Sequence, residues 1–204
     1  MDPTAASPTL MTSDGVRLAA DLVVPAGARG AAVLLHPHPR FGGNRLNAVV
    51  AALFRALPEA DIAALRFDFR AGAGGEGGDL AEERLDTLAA LDVLAAHVPG
   101  VPLFVGGYSF GAAVGLGVDH AAVTARVAIA PPLAVMAVAP ASPRPTLVLV
   151  PAFDQFSPPP AIQPIVAGWP DATVEVIDGA DHFLVGRAAA AADRATAWLV
   201  QQLG

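Results

Sequence analysis

The sequence predicts an α/β fold, a mostly parallel central sheet with helices on both faces and no cap domain, and three observations carry that reading. Uninterrupted apolar runs at 31–35 and 101–106 have the composition of strands buried on both faces. Segments with apolar residues at helical spacing alternate with such runs, which is the order of βαβ units joined by right-handed crossovers. Several runs end in loops of Gly, Pro, His or Ser, where open parallel sheets carry their chemistry.

Taken in order, residues 1–12 read as a flexible N-terminal tail to one domain covering 1–204. Ser13-Asp14-Gly15 is a turn signal, and the partly alternating stretch 16–24 suggests an opening antiparallel hairpin. Strand 31–35 gives way to a loop at 36–43. Asn44 is placed to cap a helix with apolar residues at Leu46, Val49, Val50, Leu53, Phe54 and Leu57, a single helical face. The next strand is 62–69, followed by a glycine-rich loop at 71–78. Asp79 with Glu82 resembles a capping box and opens a helix to about His97, with Leu88, Leu91 and Leu94 as core candidates. Strand 101–106 runs through Gly107-Tyr108-Ser109-Phe110-Gly111 into a small-residue helix. Short strands follow at 126–130, 145–150 and 173–177, and the closing helix, 188–203, turns Trp198 and Leu199 inward. The proline-rich stretches 131–145 and 157–164 read as loops, and the excursion 131–143 is too short for a helical cap. No internal repeat or linker divides the chain.

Composition narrows the function. The 204 residues are 54% hydrophobic and only 15% charged, with a mean hydropathy of +0.52. The uncharged stretch 98–118 is long enough to span a bilayer, but Pro99, Gly100, Pro102, Gly106 and Gly107 break it into turn, strand and elbow. The first residues lack the basic and apolar regions of a signal peptide, so a cytoplasmic location is expected. Net charge is −7, every one of the twelve basic residues is arginine, and none is clustered. That balance argues against nucleic acid or an anionic membrane as partner. With no cysteine, disulfides, thiolate metal sites and a cysteine nucleophile are excluded.

The pentapeptide 107–111 has the form G-x-S-x-G between a strand and a helix, the context of a nucleophile elbow. The turn there is so tight that the serine takes a strained backbone and side chains two residues away would collide with it. A serine hydroxyl is a weak nucleophile until a base, itself oriented by a carboxylate, takes its proton. In this chain order the acid and the histidine follow the serine, each on a loop beyond a strand. Asp154 lies just past the strand ending at 150, and His182 past the strand ending at 177. Asp178 and Asp181 are rival acids, better suited by their closeness to His182 to shaping its loop. His97 and His120 read as surface residues.

A developing oxyanion needs two backbone N–H groups, one from the residue after the nucleophile, here Phe110. The other belongs on the loop His36-Pro37-His38-Pro39-Arg40-Phe41-Gly42-Gly43-Asn44. Pro37 and Pro39 have no N–H, so His38 is the favoured donor and Phe41 the second choice. His36 and His38 also have the spacing of zinc ligands, which leaves a metal-dependent hydrolase as a rival; no second ligand cluster accompanies them. Arg66, Asp68 and Arg70 read as structurally paired charges in or beside a strand, with an approach of Arg70 to the site as the alternative. The glycines at 72, 74, 75, 77 and 78 lack the lysine of a phosphate-binding loop. Phe41, Tyr108, Leu133 and Met136 are candidates to line an open substrate pocket.

Together these segments make the chain similar to the small lidless α/β-hydrolases of the dienelactone-hydrolase and CocE-like serine hydrolase group. The H-P-H-P loop at 36–44, the loop at 69–77, the G-x-S-x-G elbow, the late Asp154 and Gly179-Ala180-Asp181-His182-Phe183 carry the likeness over nearly the whole chain from Thr12. It departs at Ala71 and Ala73, where glycine is usual, at Gly75, where serine is usual, and in the residues after Asp154. The resemblance implies a metal-independent serine hydrolase without cofactor, often dimeric, so a homodimer is expected. A carboxylic-ester substrate of small-molecule size follows, cleaved through an acyl-enzyme. Thioester, amide or peptide cleavage by the same residues, and a non-catalytic binding protein on the same scaffold, are the alternatives.

Overall fold

The structure, a computed structural model, describes residues 4–73 and 79–203. The strands among them are β1 (Thr4–Ala6), β2 (Thr9–Met11), β3 (Arg17–Val24), β4 (Gly30–Leu35), β5 (Ile62–Phe67), β6 (Leu103–Tyr108), β7 (Val123–Ile129), β8 (Thr146–Phe153) and β9 (Ala172–Asp181). The helices are α1 (Ala48–Glu59), α2 (Leu80–His97), α3 (Phe110–Leu116), α4 (Pro159–Val166) and α5 (Ala188–Gln201). The sheet order is β1-β3-β5-β4-β6-β7-β8-β9, with β2 paired to β3. From β5 to β9 every pairing is parallel, and β3 joins antiparallel to β5.

From Thr4 onward the expected tail is part of the sheet, and residues 1–3 of it lie outside the described residues. β1 and β2 both pair with β3, and Leu10 is fully buried. Residues 4–6 and 9–11 are too short to read as strands by periodicity, yet the edge of β3 supplies the backbone partners they need. The turn Ser13-Asp14-Gly15 closes the β2–β3 hairpin, with the Thr12 hydroxyl donating to Asp14 at 2.5 Å and accepting from the Val16 amide at 2.8 Å.

β4 is buried along its whole length, and its side chains divide by parity. Ala32 and Leu34 face α1 and α5 with Val49, Leu53, Ala192 and Leu199, whereas Ala31, Val33 and Leu35 face α2 and α3 with Leu91, Leu94 and Val114. α4 covers the β7–β8 end of the second face through Ile162 and Val166. This helix replaces part of the loop expected at 157–164. Pro159 and Pro160 stand in its first turn, where no amide donor is required.

Two helix starts refine the reading. The cap of α1 is Asn47, whose side chain accepts from the Val49 amide at 3.0 Å. Asn44 instead turns the loop by accepting from the Leu46 amide, leaving Leu46 exposed rather than on the buried face. Asp79 caps α2 as expected, accepting from Ala81 at 2.7 Å. No helix of the described residues is long and apolar enough to cross a membrane. The 98–118 stretch is turn, β6 and α3. Of the glycine-rich loop, 74–78 lie outside the described residues, and Arg70–Ala73 form a 3₁₀ turn.

The buried face of α2 carries charge at its first half. Asp86, fully buried, accepts from the Arg70 amide at 2.8 Å and from its guanidinium at 2.8 and 3.1 Å. Arg70 also reaches Asp14 at 2.8 Å. Burial works against the Arg70 charge most strongly, but the hydrogen bonds of Asp86 and Asp14 outweigh it and raise its pKa. One guanidinium thus ties the opening hairpin, the end of β5 and α2. Removing Asp86 takes away the buried partner of Arg70 and leaves only the more exposed carboxylates of Asp14 and Glu82 to face the cation, so Asp86→Ala should lower the unfolding free energy by about 3 kcal/mol in urea titrations. The double change Arg70→Met with Asp86→Leu should cost less, because the carboxylates left without their partner, Asp14 and Glu82, are exposed to water.

Candidate active site

Ser109 stands between β6 and α3 with φ 54 and ψ −118, a region costly for any residue with a Cβ. The turn closes because its flanks are bare. A Cβ on Gly107 would run into the Gly111 carbonyl, and one on Gly111 would lie 2.5 and 2.6 Å from the carbonyl oxygens of Leu35 and His36. The Ser109 amide donates to Ile129 at 2.9 Å, and its carbonyl accepts from Ala112 and Ala113. The elbow is therefore pressed onto the end of β4, whose last residue, Leu35, pairs with Gly107.

β4 and β6 are neighbours where the strand order reverses, so the loops after them share one crevice. β8 and β9 run farther than the sequence suggested, to Phe153 and Asp181, with an irregularity in their register. Asp154 and His182 are the next residues of the chain. The three residues expected to act together form one hydrogen-bonded chain: Ser109 Oγ to His182 Nε2 at 2.9 Å, and His182 Nδ1 to Asp154 Oδ2 at 2.8 Å. Asp154 Oδ1 accepts from the amides of Phe156 and Ser157 at 2.8 and 2.9 Å. Burial opposes its ionisation most, but the His182 bond and the two amides together hold its carboxyl below the usual range. An ionised Asp154 only accepts, so Nδ1 carries the imidazole proton and Nε2 is left to accept from Ser109. The rival Asp181 accepts from the Phe183 amide at 3.1 Å and shapes the loop.

Tyr108 differs from its expected place. It is buried, and its hydroxyl donates to the His182 carbonyl at 2.8 Å, so it braces the histidine instead of lining a pocket. Burial, with the Asp154 and Asp181 charges, pushes its pKa up to about 12. The Gln155 side chain accepts from the His182 amide at 3.2 Å. Backbone N–H, carbonyl and ring of His182 are thus each held by a different residue. Leu133 is buried against Ala112, Val148 and Ile162, a core position, and Met136 packs against the cluster that holds Phe110. Phe41 is 89% exposed and leans on His38 at 5.1 Å between ring centroids.

Phe110 opens α3, so its amide has no intrahelical acceptor. The His38 and Phe110 rings lie 4.6 Å apart. The Phe41 amide donates to the His38 carbonyl at 3.0 Å in the 3₁₀ turn Pro39–Phe41, which removes the second-choice donor. Past that turn, the Arg45 amide donates to Asp68 at 2.8 Å, while its guanidinium pairs with Asp68 and with Asp21. Arg66 also pairs with Asp21 at 2.9 Å. The three charges of the β5 end are structural, as their spacing suggested.

His36 has both ring nitrogens engaged. Nδ1 lies 2.7 Å from the Pro37 carbonyl and Nε2 accepts from the Phe69 amide at 3.0 Å. Neither is available to a metal, and no group of three ligating side chains is found among the described residues. Burial is the main cause holding this imidazole below its ordinary value. Its contribution to stability is complete above the ordinary histidine value of about 6.5. It is lost as pH falls through the lowered folded value, when a protonated Nε2 would face the Phe69 N–H. Between pH 7 and pH 5 the thermal midpoint of the wild type should therefore fall more steeply than that of His36→Asn.

Sequence reasoning missed Gln155, Phe156 and Phe183 as members of this site, although each stands within two residues of a residue it did select. No family model matches the chain. An uncharacterized protein of Rickettsia prowazekii is 36% identical over 108 residues, 50% of this chain and 45% of that protein. The chain spans about half the length of the curated relative it matches. Among solved structures, a protein of unknown function from Agrobacterium tumefaciens, provisionally classed as an α/β-hydrolase, superposes with a TM-score of 0.86 at 26% identity, covering 97% of this chain and 96% of that one. A Xanthomonas campestris member of the α/β serine hydrolases without a lid gives 0.85 at 26%, covering 98% and 95%. Dienelactone hydrolase from Anabaena variabilis shares the fold, at 0.84 and 20% over the full length of both chains. Residues 131–145, where a cap would be inserted, contain no helix. The chain is a small α/β-hydrolase without a lid.

Proposed function

We propose that the protein is a serine hydrolase that cleaves a carboxylic ester through an acyl-enzyme. The observation that carries this reading is the unbroken chain from Ser109 Oγ through His182 to Asp154, set on a strained elbow. Ser109 Oγ attacks the ester carbonyl as its proton passes to His182 Nε2. The imidazolium that forms is stabilised by Asp154, which also keeps Nδ1 as the protonated nitrogen. The carbonyl oxygen becomes an oxyanion facing the amides of Phe110 and His38, the first of which has no intrahelical acceptor at the start of α3. The C–O bond to the alcohol then breaks, and His182 Nε2–H protonates the departing oxygen. Water repeats the cycle: His182 takes its proton, the hydroxyl attacks the acyl carbon, and the acid leaves as Ser109 recovers its proton. Phe41 and Met136 stay on the rim of this reading, and Tyr108 and Leu133 beneath it.

A fluorophosphonate probe should modify Ser109 of the wild type and leave Ser109→Ala unlabelled. His182→Ala should slow labelling by roughly 10³-fold or more, since the hydroxyl loses its base. Folded wild type that takes up no stoichiometric label would overturn the proposal. Tyr108→Phe keeps the ring and removes the brace on His182. It should lower kcat by about tenfold with little change in KM, the pattern of lost orientation and not of lost binding.

A further inference from the structure

We infer that the alcohol half of the substrate is apolar and aromatic, and that Phe156 and Phe183 select it. The inference rests on the serine-hydrolase reading and adds to it a direction for the leaving group. His182 Nε2 must lie within about 3 Å of the departing oxygen to protonate it, so the group attached to that oxygen lies over the imidazole and its surroundings. Those surroundings are aromatic. The Phe156 ring stands 4.6 Å from the His182 ring and the Phe183 ring 5.8 Å, both edge-on, and the two phenyl rings are 6.4 Å apart at 83°.

Neither ring is covered by the fold: Phe156 is 44% exposed and Phe183 57%. Two aromatic side chains left open to water beside the base are apolar surface that a bound ring would cover. Their backbones are fixed in advance, because the Phe156 amide donates to Asp154 and the Phe183 amide to Asp181. Little ordering is therefore required when a ligand arrives. The carbonyl oxygen is drawn to the other side of Ser109, toward Phe110 and His38, so these two rings meet the alcohol and not the oxyanion. Both neighbouring carboxylates are engaged, Asp154 by His182 and by the Phe156 and Ser157 amides and Asp181 by the Phe183 amide.

The test compares acetate esters that differ only in the alcohol: benzyl, cyclohexylmethyl and ethyl. Wild type, Phe156→Ala, Phe183→Ala and the double variant are each assayed for kcat/KM and labelled with fluorophosphonate. The wild type should prefer benzyl over ethyl by about tenfold, with cyclohexylmethyl between them. That ratio should fall toward unity in the double variant, whatever the absolute rates. Equal kcat/KM for benzyl and ethyl in a wild type that labels at Ser109 overturns this inference alone. A benzyl preference that survives loss of both rings also overturns it. Absence of label on Ser109 overturns the serine-hydrolase reading and this inference with it. Sedimentation of the same proteins supplies the remaining arm: a dimer that dissociates in the double variant, with the ester ratio unchanged, assigns the rings to a subunit contact and overturns their role in selection.

Discussion

The structure depends on one backbone contact, the elbow pressed against the end of β4. Gly111 lies so close to the carbonyls of Leu35 and His36 that no side chain fits between. That closeness couples the two elements that must face each other, the turn that projects Ser109 and the loop that leaves β4. The strain at Ser109 persists because its amide and carbonyl are both bonded and its neighbours allow no relaxation. A looser turn would free the backbone and lower the serine back toward the sheet.

Around that contact the loops are fastened by polar groups with little apolar packing of their own. His36 joins the loop after β4 to the residue after Asp68, Arg45 joins the far end of the same loop to the β5 end, and Arg70 joins β5 to α2 and the opening hairpin. His182 is held at its amide, carbonyl and ring by Gln155, Tyr108 and Asp154. Such bonds add modestly to net stability, because water offers the unfolded chain the same partners. Their consequence is geometric. Donors and acceptors around Ser109 and His182 are fixed by the fold itself, the preorganisation on which the proposed hydrolysis relies.

The parts of this arrangement legible in the sequence are those with a local cause. Apolar runs reported the central strands, G-x-S-x-G reported a turn that only glycines permit, and Asp154 and His182 were marked by lying just beyond strands. The parts that were not legible depend on a distant partner. β1 and β2 are strands only because β3 offers them an edge. Asn44 and Asn47 are equally good caps by type, and the loop's attachment to Asp68 through Arg45 separates them. The helix α4 was hidden by its prolines, which break a helix inside it but suit its first turn.

Tyr108 and Phe156 show the same division within the site. Each stands within two residues of one chosen from the sequence, yet one is buried under the histidine and the other stands open beside it. By itself the sequence determined the class of the fold and the turn at Ser109, and it set Asp154 and His182 just beyond strands, because strand burial and a glycine-only turn leave their marks on neighbouring residues. The tertiary structure alone decided which carboxylate meets the imidazole, that the Phe41 amide is bonded within its own turn, and which aromatic rings face solvent. Those outcomes depend on where β4, β6, β8 and β9 end relative to one another in the sheet, and no short stretch of chain encodes that distance.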